Sequence, residues 1–400
     1  MHTHSASYTG NVRKYYVYTI LKGLNFGLFT AIWVIFLQER HGLSLTQVTL
    51  VDVAFWIAAT LGEVPTGIVA DSYGRKKSLV VGVALMGGSV LAWALAPTVP
   101  LVALSYVAIA IGATFLSGAE EALVFESLKI SGRVGDYTRI AGRISAMTLA
   151  ATAVGNLSSG LLASVDLRLP FFMGAFLLLS MLGIVLTFKE PQSEEDSGEQ
   201  KRDTYWAILR QALALMRARP TLRYAILYLT LIPITAVAME TVFLQPQAVV
   251  LGVPLAGIGF VVMAVQLSSM AGATSSHRVR EVIGEARVMR LLPFGLAASL
   301  LLLGLFQTLP ALAFAAAISF FTAILRPIVM NRIQGEVSDN IRATVLSVQS
   351  LIFAFVIAFI EPLLGAIADR SGFPATYFTM AGGLTLLVLL LFWRSRDRFP

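Results

Sequence analysis

Long apolar stretches separated by short polar ones recur along the whole chain. Twelve of them, at 15–37, 47–71, 76–96, 100–128, 138–165, 169–189, 221–245, 254–276, 286–307, 309–333, 341–368 and 374–394, reach about 20 residues or more. That length as a helix crosses a hydrocarbon core of about 30 Å. Strand-like alternation of apolar and polar positions is absent, which argues against a membrane barrel. Pro97, Pro100, Pro254, Pro310 and Pro374 stand at predicted helix boundaries, where a missing N–H costs least. The first stretch is too long and too polar-flanked for a cleaved signal peptide.

Composition supports this pattern. The 400 residues are 56% hydrophobic and only 13% charged, with a mean hydropathy of +0.76. A soluble domain carries about 25% charged residues, so this chain lacks the polar skin that a soluble fold needs. An integral membrane protein is predicted, and a disordered chain, a nucleic-acid-binding domain or a disulfide scaffold is excluded. With no cysteine, thiolate chemistry and Cys-based metal sites are also excluded.

The basic residues set the orientation. With the N-terminus inside, three of the 30 lysines and arginines (Arg40, Arg168 and Arg370) fall in outer loops and two (Lys22 and Arg326) fall within spans. The other 25 lie on the cytoplasmic side, among them Arg75-Lys76-Lys77 and the stretch from Arg278 to Arg290. A miscount by one helix would scramble that segregation, so an even number of spans and two cytoplasmic termini are expected. The formal charge of +7 is then mainly a topology signal, with anionic lipid as its partner.

One long connection, 190–220, divides an N-terminal part (1–189) from a C-terminal part (221–400). It opens acidic and then carries Trp206, Leu209, Leu213 and Met216 at helical spacing among arginines. This reads either as an amphipathic strut at the interface or as a plain helical linker. A shift of 205 residues lays Gly67 on Gly272, Arg75 on Arg280, Gly160 on Gly365, Glu121 on Arg326 and Asn156 on Glu361. The expected fold is therefore all-α, with twelve transmembrane helices in two pseudo-symmetric six-helix halves, an arrangement used by transporters.

The segment Gly67-Ile-Val-Ala-Asp71-Ser-Tyr-Gly74-Arg75-Lys76-Lys77 follows the second span. It resembles the loop 2–3 signature of the major facilitator superfamily, with Ser72 in place of an arginine. The resemblance implies that fold across essentially the whole chain, and a gating latch built on Gly67, Asp71, Gly74, Arg75 and Lys76. The corresponding segment of the second half has Ser276 where the aspartate would stand. A look-alike ending in Gly365-Ala-Ile-Ala-Asp369 matches Gly160-Leu-Leu-Ala, and reads as a repeat of fifth-helix character. The fifth-helix pattern of drug exporters in the family survives only as Gly155 and Gly160. Glu63-Val-Pro65-Thr66-Gly67 and Ser117-Gly118-Ala-Glu120-Glu121 are similar to bacterial facilitators assigned as exporters.

Ionisable residues inside a span cost about 2.5–3.5 kcal/mol each by insertion scales, so they are functional candidates. Asp52 and Glu126 stand near span ends, where snorkelling to water is expected. Glu63 precedes Pro65 and has a packing or a transport role. Glu120, Glu121 and Arg326 are deeper, and the resemblance puts Lys22, Glu121, Glu240 and Arg326 on the four helices that line the cavity. Thr114, Ser117 and Glu121 form a polar stripe, which favours Glu121 over Glu120. Glu121 is expected either to exchange partners with Arg326 and carry a proton, since a carboxyl's proton affinity changes with its partner, or to form a static ion pair. Glu240 and Glu361 each attract a cation or proton, or stand as lone carboxyls held by hydroxyls. Asn25 and Gln266 are neutral contacts, and Phe26, Phe29 and Trp33 supply an aromatic wall or simple packing. His2, His4, His41 and His277 fall in predicted termini or loops, so no histidine metal site is expected.

The expected function is secondary transport by alternating access in a bacterial inner membrane. No cofactor is expected, nor direct use of ATP, since a phosphate-binding loop motif is absent. The buried acids favour proton-coupled efflux of an amphipathic or cationic small molecule by a monomer. Uptake or exchange of an anionic metabolite, lipid translocation, a non-transporting sensor and a membrane-embedded enzyme are the alternatives.

Overall fold

The computed structural model describes residues 2–191, 210, 214, 217–336 and 339–394, and every regular element among them is helical. In chain order these are α1 (His2–Thr30), α2 (Trp33–His41), α3 (Leu45–Tyr73), α4 (Arg75–Leu95), α5 (Val99–Leu116), α6 (Ala119–Ile130), α7 (Tyr137–Ala163) and α8 (Leu169–Leu186). Then follow α9 (Pro220–Ala238), a π-helical segment Met239–Phe243, α10 (Leu244–Val250), α11 (Leu255–Ile283), α12 (Glu285–Leu305), α13 (Leu312–Glu336) and α14 (Asp339–Arg394). Prolines occupy the first turns of α5, α8 and α9, where no intrahelical donor is lost. Trp206, Leu209, Leu213 and Met216 lie outside the described residues.

Among the described residues ten helices are long and apolar enough to cross a membrane, or eleven if α1 and α2, bent by 43°, make one span. Some single stretches of the hydrophobic pattern are broken helices. The fourth stretch is interrupted after α5 at Ser117–Gly118, and the seventh carries the π-helical segment. Conversely α14 runs 56 residues and contains a non-helical residue, Gly372, at φ 78°. His277 lies within α11, not in a loop.

The chain forms two compact units: Met1–Phe36 with Ala54–Lys201 and Leu255–Gly259, and Leu37–Val53 with Arg202–Pro254 and Phe260–Pro400. In the first unit α1 packs on α7 almost backbone to backbone. A Cβ on Gly27 would lie 2.2 Å from the Thr152 carbonyl oxygen, and one on Gly155 would lie 2.4 Å from that of Leu24. In lipid, where water supplies no drive to associate, such small-residue contacts let helices gain dispersion energy.

Phe29 and Trp33 are buried in an aromatic cluster with Phe36, Trp93, Tyr106 and Phe171, with ring centroids 4.7–6.1 Å apart. Of the two roles open to them they take the packing one, while Phe26 is 58% exposed. The snorkelling expected of Asp52 is not observed. Its position in the second unit leaves it 3% exposed, because the start of α3 is covered by α14.

Candidate functional site

The break between α5 and α6 builds a polar recess in the first unit. Gly118 adopts φ 73°, which favours a residue without Cβ, and the Ala119 N–H bonds the Ser117 carbonyl at 2.8 Å. The chain restarts as α6 with Glu120 and Glu121 in its first turn. Free backbone N–H groups there favour negative charge. The break also means that Thr114, Ser117 and Glu121 are not one continuous helical stripe. Thr114 is buried and donates to the Ile111 carbonyl.

Helix α1 brings three partners to Glu120. Lys22 Nζ lies 2.5 Å from Oε2, the Tyr18 hydroxyl donates to Oε1 at 2.6 Å, and the Tyr15 hydroxyl reaches Oε2 at 3.4 Å. Tyr15 and Tyr18 stack at 5.2 Å. Glu120 is thereby nearly enclosed, whereas Lys22 stays 42% exposed. Glu121 is exposed, and with Lys22, Glu120, Tyr15, Tyr137 and Thr148 it lines a cavity of about 180 Å³. Adjacent residues differ by about 100° around a helix, yet both carboxylates border this one recess.

The other residues singled out from the sequence belong to other helices. Asn25 is buried against α8, where its Oδ1 packs on Gly174. In the second unit, Glu240 sits in the π-helical segment and accepts a hydrogen bond from the Ser319 hydroxyl. π-Helical turns recur at functional sites. Gln266 is half-buried on α11 and Arg326 is exposed on α13. Glu361 on α14 is fully buried.

The segment after α3 forms a charge network at one end of the first unit. The Arg75 guanidinium donates to Asp71, and to Glu126 at 3.5 Å. Glu126 therefore serves an ion network and not solvent alone. A further participant is Glu190, a residue not singled out from the sequence. Its carboxylate accepts the backbone N–H of Arg75 at 2.6 Å and of Lys76 at 2.9 Å, so it caps α4 from 115 positions away. Gly74, at φ 104°, makes room for it, since a Cβ there would meet the Glu190 carboxylate at 2.8 Å. Asn11 steadies the approach, bonding the Lys189 N–H and carbonyl and the Ser127 hydroxyl. Glu190→Ala is expected to cost about 1–2 kcal/mol, the scale of a lost helix cap. A lower melting temperature in detergent checks this, and Glu190→Gln, which keeps an acceptor oxygen, loses less.

Comparison with known proteins agrees with this architecture. The profile of the Major Facilitator Superfamily matches residues 16–281. The chain belongs to that superfamily. This major facilitator is thus a transporter and not an enzyme. It is 25% identical over 391 residues, 94% of both chains, to a Bacillus subtilis protein described as an uncharacterized MFS-type transporter, YxaM. Over 179 residues, 44% of this chain and 45% of the other, it is 28% identical to multidrug resistance protein 1 of the same organism. Among solved structures it resembles a variant of the nucleoside transporter NupG, with a TM-score of 0.78 and 14% identity over 96% of this chain and 99% of that one.

Proposed function

We propose that this major facilitator works by alternating access and exports an amphipathic or cationic small molecule in exchange for protons. The observation that carries the reading is the recess at the α5–α6 break. It sets a neutralised pair, Lys22–Glu120, beside an exposed carboxylate, Glu121. Lys22 balances Glu120, so the recess keeps a net negative charge that suits a cationic cargo or a proton. Broken helices lining a polar recess are a recurrent way to expose binding groups at membrane depth. The similarity to a multidrug resistance protein supports export.

Twelve crossings fit the described helices. At ~1.5 Å per residue α14 would extend ~84 Å, far beyond a core of about 30 Å. Gly372 therefore divides it into two spans. The segregation of basic residues then supports cytoplasmic termini in a bacterial inner membrane. The repeat supports two pseudo-symmetric halves, with Gly160 and Gly365 each packed against the first turn of another helix.

Uptake or exchange of an anionic cargo, attracted by Lys22, is the second reading. Nucleoside and xylose transporters and a spinster homologue share the fold. The existing pairing of Lys22 with Glu120 weighs against it. Vesicles containing the protein, placed under an imposed proton gradient, separate the readings. Cationic dyes are expected to move against the proton flux, and nucleosides, organic anions and lysolipids are not. Glu121→Gln is expected to reduce gradient-driven dye flux at least tenfold while dye binding persists. Full flux in that variant removes Glu121 as the proton carrier.

A further inference from the structure

Within the second unit, the beginning of α3 lies antiparallel along α14 and is fastened to it at three successive turns. First, Asp369 caps α3. Its Oδ1 accepts the Leu45 N–H at 2.9 Å, and its Oδ2 accepts the Thr46 N–H at 2.9 Å and the Thr46 hydroxyl at 2.5 Å. Second, Gly365 lies against the same turn so closely that a Cβ would sit 2.9 Å from both the Leu45 carbonyl oxygen and Thr49 Oγ1. Third, one turn further along the same seam, Asp52 and Glu361 are both buried and close enough for their charges to interact. The spacings 45, 49, 52 and 369, 365, 361 place all three contacts on one face of each helix.

The third contact is chemically unusual. Asp52 is 3% exposed and Glu361 is fully buried. Among the described residues Asp52 is the titratable group that faces Glu361. Neither Glu361 oxygen receives a hydrogen bond from any described donor. On its own helix Asp369 is two turns away and occupied with Leu45 and Thr46. Two ionised carboxylates have no donor between them, and both would repel in a medium that screens charge poorly. A carboxyl and a carboxylate have one donor, one acceptor and a single negative charge.

We propose that Asp52 and Glu361 form a proton-binding site, holding one proton between them and so closing the α3–α14 seam. The O–H of one carboxyl donates to the other's carboxylate, and the proton leaves to water only when α3 parts from α14. A metal ion is disfavoured, because Gly365 brings the backbones one turn away into direct contact. The site shares no residue with the recess at Glu120 and Glu121, so it stands or falls independently of the cargo and of efflux.

Infrared difference spectra of the purified full chain in uncharged lipid nanodiscs test the site. At neutral pH a protonated-carboxyl C=O band that shifts in deuterated water is expected. Asp52→Asn and Glu361→Gln should each remove that same band, since either amide supplies the donor and leaves the remaining carboxylate ionised. Spectra unchanged by both substitutions overturn the proposal, as does a band abolished by added sodium or calcium at constant pH. A measurement on the unsubstituted chain covers the case in which neither variant folds. Amide hydrogen exchange of the peptide covering Leu45–Val53, corrected for intrinsic rate, should show at least tenfold lower protection at alkaline than at mildly acidic pH. Protection that stays constant across that range overturns the proposal equally.

Discussion

Lys22→Met is expected to reduce transport roughly tenfold or more while leaving the protein foldable. The ammonium lies 2.5 Å from Glu120, whose side chain is 12% exposed. Breaking a fully buried pair typically costs about 3–5 kcal/mol, because the surviving charge is left without compensation. Here the loss is smaller, about 1–3 kcal/mol. Lys22 is 42% exposed, and the Tyr15 and Tyr18 hydroxyls still donate to the carboxylate. Since about 1.4 kcal/mol is a factor of ten in an equilibrium, that cost is enough to redistribute the working states of the carrier. The check is a double-mutant cycle with Glu120→Gln, read by both melting temperature and gradient-driven flux. Removing both charges should restore most of the stability but not the flux. Full additivity of the two substitutions would show that the pair is not coupled.

Gly27→Leu should be the most damaging single substitution at the α1–α7 seam. Its Cβ alone would approach the Thr152 carbonyl to 2.2 Å and the Asn156 nitrogen to 2.7 Å. These are backbone atoms of a facing helix, which give way only if α1 and α7 separate. Overpacking costs about 1–3 kcal/mol where side chains can shift, and occasionally more. Backbone contact on this scale belongs at or beyond the upper end. The measurement is the yield of monodisperse protein in mild detergent and its melting temperature. Gly88→Ala in α4 is the control. Nothing lies within 4 Å of a Cβ there, so the change is expected to be neutral or stabilising by up to about 1 kcal/mol. Equal losses in both variants would show that general helix effects, and not the α1–α7 contact, set the sensitivity.

Much of the architecture is legible in the sequence. Hydropathy is a local, additive property, so stretches of about 20 apolar residues report membrane helices regardless of what they pack against. The Gly67–Lys77 segment added the superfamily, because a turn that needs Gly74 and a charge pair that needs Asp71 and Arg75 leave their residue types in the sequence. Local hydropathy does not report where a span is broken. Ser117–Gly118 and the π-helical turn around Glu240 lie inside apolar stretches without interrupting the pattern, whereas the break at Gly372 falls in the gap between the last two stretches.

The pairings of the polar residues were decided only by the tertiary structure. Lys22 meets Glu120 across 98 positions, Glu190 caps α4 across 115, and Asp369 caps α3 across 324. None of these distances leaves a periodic trace, because each depends on which helix faces meet. Asp52 shows the same limit. By its place near a span end it belongs at the water interface, yet α14 covers it and sets Glu361 opposite. The sequence by itself determined a helical membrane transporter of known superfamily, since solvent transfer is summed residue by residue. Only the fold selected the partners of its few buried charges, since a charge in a low-dielectric interior is governed by its nearest neighbours in space.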